Sequence, residues 1–267
     1  MLSRTSKRFI IGGAYVFIIF LIVGGNYWFK NRPTCNDNIQ NGREEGVDCG
    51  TLACGQACVS PIQALVIQDI QLVKTPVGDF DLAVMVYNPN FDFGADLADY
   101  SLIIIDSNEK EVFRQAHSFY ILPGQTKYIA LTSIKDIPDG SSAGIQIKSV
   151  NWKKVSSPQN ISFIITREAI TPENNQTTYQ AIITNNSNFD FDTIDVNMIA
   201  TDSSGVIIAT NRTNFQTFLS QTNRSINVVW PFVLPTDVRI KTEVNTNVFN
   251  NANFLKQNGT QEKFQQY

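Results

Sequence analysis

The stretch AVMVYNPNFDF, Ala83 to Phe93, returns about one hundred residues later as AIITNNSNFDF, Ala181 to Phe191. Asn88, Asn90, Phe91, Asp92 and Phe93 recur as Asn186, Asn188, Phe189, Asp190 and Phe191. Downstream of each copy the order is kept. Asp106-Ser107 recurs as Asp202-Ser203, and FYILPGQT (Phe119 to Thr126) aligns with FQTFLSQT (Phe215 to Thr222). IKSVN, Ile147 to Asn151, aligns loosely with IKTEVN, Ile240 to Asn245. A unit of this length is a duplicated domain, too long for a solenoid repeat. Within it Leu82, Val84 and Val86 alternate with Ala83, Met85 and Tyr87. In the second unit Ile194, Val196, Met198 and Ala200 alternate with Asp195, Asn197, Ile199 and Thr201. Period-two runs rich in β-branched residues, broken by Asn88-Pro89-Asn90, Pro123-Gly124 and Ser203-Ser204-Gly205, are strands joined by turns. The predicted fold is all-β: two tandem immunoglobulin-like sandwiches, residues 61–155 and 156–250. Lys153 to Asn160 is read as a short polar linker between them, and 251–267 as a flexible tail.

Upstream, Phe9 to Phe29 contains no charged side chain. A helix of about 20 apolar residues spans a bilayer core. Arg4, Lys7 and Arg8 precede it, Tyr27, Trp28 and Phe29 sit at its far end, and Lys30 and Arg32 follow. The expectation is a cytoplasmic tail at 1–8, a transmembrane helix at 9–29 held by the lipid bilayer, and the remainder outside the cytoplasm. A cleaved signal peptide, with Val23 and Gly25 near its cleavage positions, is the competing reading, but the apolar run exceeds a signal core of about 7–15 residues.

Between helix and repeats, at 30–60, lie all four cysteines: Cys35, Cys49, Cys54 and Cys58. An even set beside a membrane exit suggests two disulfides formed in an oxidising compartment, with three pairings open. Few apolar residues separate them, so cross-links must replace a core as the ordering force. Four thiolates are also a zinc set, yet no Cys-x-x-Cys is present. Asp37, Asn41, Glu44 and Asp48 offer oxygen ligands around a glycine turn, which is calcium chemistry in a spacing that is not an EF-hand.

Two resemblances follow from these residues. Cys35, Asp37, Asn41, Gly42, Glu44, Gly46, Val47, Asp48, Cys49 and Gly50 resemble a short cysteine-rich motif of bacterial surface proteins, which implies an exported surface protein. Asn88-Pro89-Asn90, Asp106 and Leu122-Pro123-Gly124-Gln125-Thr126 resemble the LEA14/WHy and FxLYD group of β-sandwich domains. In the second copy Asn185-Asn186-Ser187 and Asp202-Ser203-Ser204-Gly205 carry the likeness, with Leu219-Ser220 where Pro-Gly is usual. That resemblance implies a non-catalytic module.

The chemistry available is narrow. One histidine, His117, limits any triad to a single ring and excludes a multi-histidine metal site. A formal net charge of -3 gives no broad attraction for nucleic acid. No phosphate loop or Gly-x-Ser-x-Gly turn is present. The expected function is therefore non-catalytic and without a cofactor: an interaction or structural module with a protein partner. The alternative is a component of an envelope transport or assembly complex that docks other membrane proteins. Phe91, Phe93, Phe189 and Phe191 are the candidate binding edge, against a reading in which they plug the open end of each sandwich. Asp92 with Asp99, and Asp190 with Asp195, are weaker calcium candidates. Asn160, Asn175, Asn185, Asn211, Asn223 and Asn258 lie in Asn-x-Ser/Thr sequons.

Overall fold

A computed structural model describes residues 4–30, 35–56, 58, 62–155, 161–252 and 254, with side chains in the first helix from 12 to 25. The chain forms two compact units that divide between Pro61 and Ile62.

The first unit holds helix α1 (Arg4–Lys30) and a small cysteine-rich segment with one helical turn, α2 (Thr51–Cys54). The described apolar side chains of α1, Tyr15 through Val23, are all exposed. Among the described residues no helix is long and apolar enough to cross a membrane. The cysteines pair as Cys35–Cys54 and Cys49–Cys58, which resolves the three possible connectivities.

The second unit is all-β. Its first half comprises β1 (Val66–Lys74), β2 (Phe80–Tyr87), β3 (Phe93–Ile105), β4 (Glu111–Ile121), β5 (Thr126–Ile134) and β6 (Ser142–Lys154). These form two antiparallel sheets in the orders β1-β2-β5 and β4-β3-β6. Leu82, Val84, Val86, Ile129 and Leu131 from one sheet meet Ala98, Tyr100, Leu102, Ile104 and Ile121 from the other in a single buried cluster. The second half repeats the plan with β7 (Phe163–Glu173), β8 (Gln176–Asn185), β9 (Phe191–Thr201), β10 (Ile207–Phe218), β11 (Asn223–Trp230) and β12 (Arg239–Asn245). Its sheets run β11-β8-β7 and β10-β9-β12, strand for strand the same order. Tyr179, Ile183, Val196, Met198, Phe218 and Trp230 anchor its core.

The duplication is thus structural, but its register differs from the alignment in three places. The aspartate turn holds. The Asp106 carboxylate accepts the Asn108 and Lys110 N–H groups, and Asp202 accepts those of Ser204 and Val206. Each turn closes through a left-handed residue, Glu109 at φ 62° or Gly205 at φ 87°. At the Asn turn the motif misleads. Asn88 Nδ2 donates to the Phe93 and Leu122 carbonyls, and Asn185 Nδ2 donates to those of Phe189 and Leu219. Asn185, not Asn186, is therefore the counterpart of Asn88, and Phe189 that of Phe93. Phe191 falls opposite Ala95, because Ala95 pairs with Ile121 as Phe191 pairs with Phe218. β10 carries one residue more than β4 between Phe215 and Phe218, and β3 absorbs the difference as a bulge between Ala95 and Ala98. Ser220-Gln221, with Gln221 at φ 56°, consequently replaces Pro123-Gly124, with Gly124 at φ 62°. Likewise Val244 is the counterpart of Ile147, since they pair with Val196 and Tyr100 respectively.

Two further expectations shift. Lys153 and Lys154 end strand β6, and Val155 is buried in the second core; 156–160 lie outside the described residues. At the carboxyl end Asn251 is buried, and Phe254 is fully buried with its ring 5.2 Å from that of Phe189. The expected flexible tail is therefore corrected at Asn251 and Phe254, which are packed, and 255–267 lie outside the described residues.

Candidate functional site

The two sandwiches pack side by side. The outer face of β1-β2-β5 lies on the outer face of β10-β9-β12, where Ala83, Ala130, Ile199 and Ile207 form a third buried cluster with Val73 and Tyr128 against it. The paired alanines leave room for the sheets to approach. β2 is consequently buried on both faces, which its run Leu82-Ala83-Val84-Met85-Val86 reflects.

Around this apolar patch the contact is polar, for a reason rooted in sheet geometry. β5 and β10 are edge strands, and an edge leaves a row of backbone groups unpaired. Buried backbone donors and acceptors need partners. The Tyr128 N–H donates to the Glu243 carboxylate at 3.0 and 3.3 Å, and the Tyr128 carbonyl accepts from Asn197 Nδ2 at 2.9 Å. The Thr210 N–H donates to Asp81 Oδ2 at 2.8 Å, while the Ser133 N–H donates to Oδ1 at 3.1 Å. The Tyr120 hydroxyl donates to Asp195 Oδ2 at 2.8 Å, and Gln125 Nε2 donates to Asn245 Oδ1 at 2.6 Å. Burial pushes the Asp81 and Glu243 carboxyls above the usual range, against the pull of these hydrogen bonds. It pushes the Tyr120 hydroxyl up as well, with the Asp195 charge adding to the effect.

Lys127 is the exceptional group in this seam. Its side chain is only 5% exposed, and Nζ donates to the Tyr120 carbonyl at 3.0 Å while lying 3.7 Å from the centre of the Tyr120 ring. Burial lowers its pKa to about 8. In the second copy the register places Arg224 at the same position. Arg224 also donates to a neighbouring carbonyl, that of Thr217, and sits over Phe215, but it is exposed, with nothing packed on that side among the described residues. Lys127 thus owes its burial to the second sandwich. It lines a cavity of about 380 Å³ in the seam together with Tyr120, Asp195, Asn197, Arg212 and Asn214.

The residues singled out from sequence are scattered. Phe189 and Phe191 are buried and ring-packed, so in the second copy they do plug the sandwich end. Phe93 is half-buried, but Phe91 is 73% exposed, with its ring resting against Gly124. The plug expectation fails there because Phe91-Asp92 occupies the place that Asn188 alone takes in the second copy. In the cysteine-rich segment, Asp48 accepts the backbone N–H groups of Asp37 and Asn38, Asp37 accepts from Ile39 N and Asn41 Nδ2, and Glu44 accepts from Asn41 N. These acids order a loop. Among the described residues, the one acidic, histidine or cysteine trio with ligand atoms within 4.8 Å of one another is Cys35, Glu44 and Cys54, and its two sulfurs are bonded to each other. Asp99 accepts from Ser149, Asp195 from Tyr120, and Asp190 from the Ser220 N–H. His117 is half-buried, stacked on Tyr100 with ring centres 5.6 Å apart, and its Nε2 has no partner among the described residues. Asn185 is fully buried, so its sequon is closed to modification in the folded chain.

Two features of the sequence bear on the seam. Asp81 interrupts an apolar run between Phe80 and Leu82, and β2 lacks the polar alternation that β8 keeps at Thr178 and Gln180.

No protein-family model matches the chain, and no curated protein matches it by sequence. Among solved structures it is similar to the crystal structure of red sea bream transglutaminase, at 14% identity and a TM-score of 0.22. The match covers 73% of this chain and 30% of that enzyme, a likeness too slight to bear on function.

Proposed function

We propose that the chain is a non-catalytic, membrane-anchored protein that displays two fused immunoglobulin-like sandwiches outside the cytoplasm as an interaction or structural module. The observation that carries this reading is the pairing of an uncharged run, Phe9 to Phe29, with two disulfides formed within residues 35–58. Disulfides persist in oxidising compartments, which supports an exported carboxyl side. The exposed apolar side chains of α1 from Tyr15 to Val23 have no covering partner among the described residues, and a bilayer supplies one. The sandwiches act as a single rigid module, because their edge-strand groups are satisfied across the seam.

Flotation of the full chain with membranes, followed by protease treatment from the outer side, tests this. Membrane association with loss of everything beyond about residue 30 is expected. A chain that sediments free of lipid, or whose sandwiches are cut only from the cytoplasmic side, refutes it. Mild detergent extraction then separates two roles: recovery of a stoichiometric complex with other membrane proteins identifies a docking component of a larger assembly.

A further inference from the structure

On one side of each sandwich, edge strands of its two sheets face each other across a gap: β4 and β5 in the first copy, β10 and β11 in the second. The second copy bridges its gap twice. The Trp230 ring is fully buried there, and its Nε1 donates to the Thr210 carbonyl on the facing strand at 2.9 Å. Asn211 Nδ2 donates to the Val229 carbonyl at 3.0 Å. The first copy has neither bridge among the described residues. Ile134 pairs with Phe80 as Trp230 pairs with Thr177, and Phe80 and Thr177 stand equally far ahead of Asn88 and Asn185. Ile134 thus takes the place of the indole. Gln115 takes that of Asn211, since they pair with Leu102 and Met198 respectively. Phe113, where the second copy has Ala209, returns part of the lost volume. A cavity of about 520 Å³ remains, walled by Phe113, Gln115, His117, Leu131 and Ile134, with Arg212 of the second sandwich at its side.

We propose that this gap in the first sandwich binds a planar aromatic ligand of about the size of an indole, seated where the second sandwich holds the Trp230 ring. The second copy shows that this strand framework accepts an indole at that place without losing its core. The lining suits such a ring. Leu131 and Ile134 are buried and apolar, and Phe113 and His117 offer ring faces, His117 itself stacked on Tyr100 with centres 5.6 Å apart. Offset or tilted ring pairs gain beyond the area they bury. Burial, with the Arg212 charge adding to it, lowers the His117 pKa, so its ring is neutral at pH 7. The charged groups on the wall, Lys135, Asp136 and Arg212, are all exposed, which leaves a neutral interior with ions at its mouth. A guanidinium at the mouth favours the π face of an aromatic ring over an aliphatic group of the same width. The cavity volume lies in the usual range for small-molecule sites.

The test uses the full chain in detergent, labelled at histidine for NMR. His117 is the single histidine, so its imidazole signals are unambiguous. The protein is titrated at neutral pH with indole and separately with cyclohexanol, a ring of similar width without a π face. The expected result is a saturable shift of the His117 signals and a higher unfolding temperature with indole, and neither with cyclohexanol. Ile134→Trp supplies the second copy's own ring and should abolish the saturable shift in the same detergent. Arg212→Gln should weaken binding roughly threefold or more. No saturable shift with indole overturns the proposal, as does an equal response to cyclohexanol or undiminished binding in Ile134→Trp. Arg212 is exposed, so its variant should keep the fold. If Ile134→Trp fails to fold, unchanged binding in Arg212→Gln overturns the proposal instead.

Discussion

Phe91 and Phe189 begin the same Phe-Asp-Phe motif, yet the structure puts them in opposite environments, and matched truncations measure the difference. Phe189 is 3% exposed and packs against Phe191 and Phe254, with ring centres 6.4 and 5.2 Å away. Replacing a buried Phe by Ala costs about 3–5 kcal/mol, from lost transfer energy and the cavity left behind. In a unit of this size each kcal/mol lowers the melting temperature by about 2–4 °C, so Phe189→Ala should fall by roughly 6–20 °C. Phe91 is 73% exposed and touches Gly124, so its truncation should stay within about 0.5 kcal/mol, or roughly 2 °C. Thermal unfolding of the two full-length variants, followed by far-ultraviolet circular dichroism in the same detergent, gives both numbers. Equal losses at the two sites would mean that the sequence alignment of the motifs, Phe91 on Phe189, is the true structural one and that the register derived from the Asn88 and Asn185 hydrogen bonds is wrong.

Other expectations follow from single groups. Asn185→Ala should destabilise by about 2–4 kcal/mol, since it strands the carbonyls of Phe189, Phe218 and Leu219 inside the second sandwich; denaturant titration checks this. Asp106 and Asp202 have their pKa values lowered, Asp106 first by the Lys110 N–H and Asp202 first by the Ser204 hydroxyl. A depressed carboxyl contributes stability above its unfolded pKa and loses it as pH falls through the folded value, so the contribution should begin to decline below about pH 4 and be gone once pH is under the lowered folded values. Carboxyl NMR titration should find both below the ordinary aspartate value, and Asn at either position should flatten the acid limb of the stability curve. Reducing Cys35–Cys54 should loosen the 35–58 segment by about 2–4 kcal/mol and leave the sandwich unit's melting unchanged, because the two are separate compact units; hydrogen exchange resolved by segment reads both.

How far the sequence reveals this molecule depends on the range of the interaction concerned. Alternation at Leu82-Val84-Val86 and Ile194-Val196-Met198 is local, and it located strands and cores. Asp106 and Asp202 act on N–H groups within four residues, so their equivalence was legible too. The Asn turns were not, because Asn88 and Asn185 are defined by carbonyls more than thirty residues away, at Leu122 and Leu219. The repeated Asn-Phe-Asp-Phe spacing aligns at a register that the fold does not keep. The seam was further out of reach. Lys127 and Arg224 look alike in sequence, as cations at the same strand position, and only the neighbouring sandwich separates a buried ammonium from an exposed guanidinium. Phe254 was lost in the same way, a single apolar residue in a polar tail whose pocket is built by Phe189.

The seam joins unlike surfaces, and that has a bearing on how many copies can follow one another. A head-to-tail contact does not close on itself, so a chain built from it is free to extend without limit, within one polypeptide or between molecules. Here the face that would accept a third member is the outer side of β11-β8-β7. Where the first copy offers Ala83, Ala130 and Tyr128, the second presents Gln180, Asn227 and Ser225, all exposed. At the opposite end the outer side of β4-β3-β6 carries Arg114 and Gln146 where the joined face has Thr210 and Glu243. The β11-β8-β7 end has lost the small and apolar side chains that make the internal joint, in the manner of the polar caps that end a solenoid, whereas β3 keeps Ile103 where the joint has Ile199. An apolar patch that would otherwise invite self-association is covered within the chain itself.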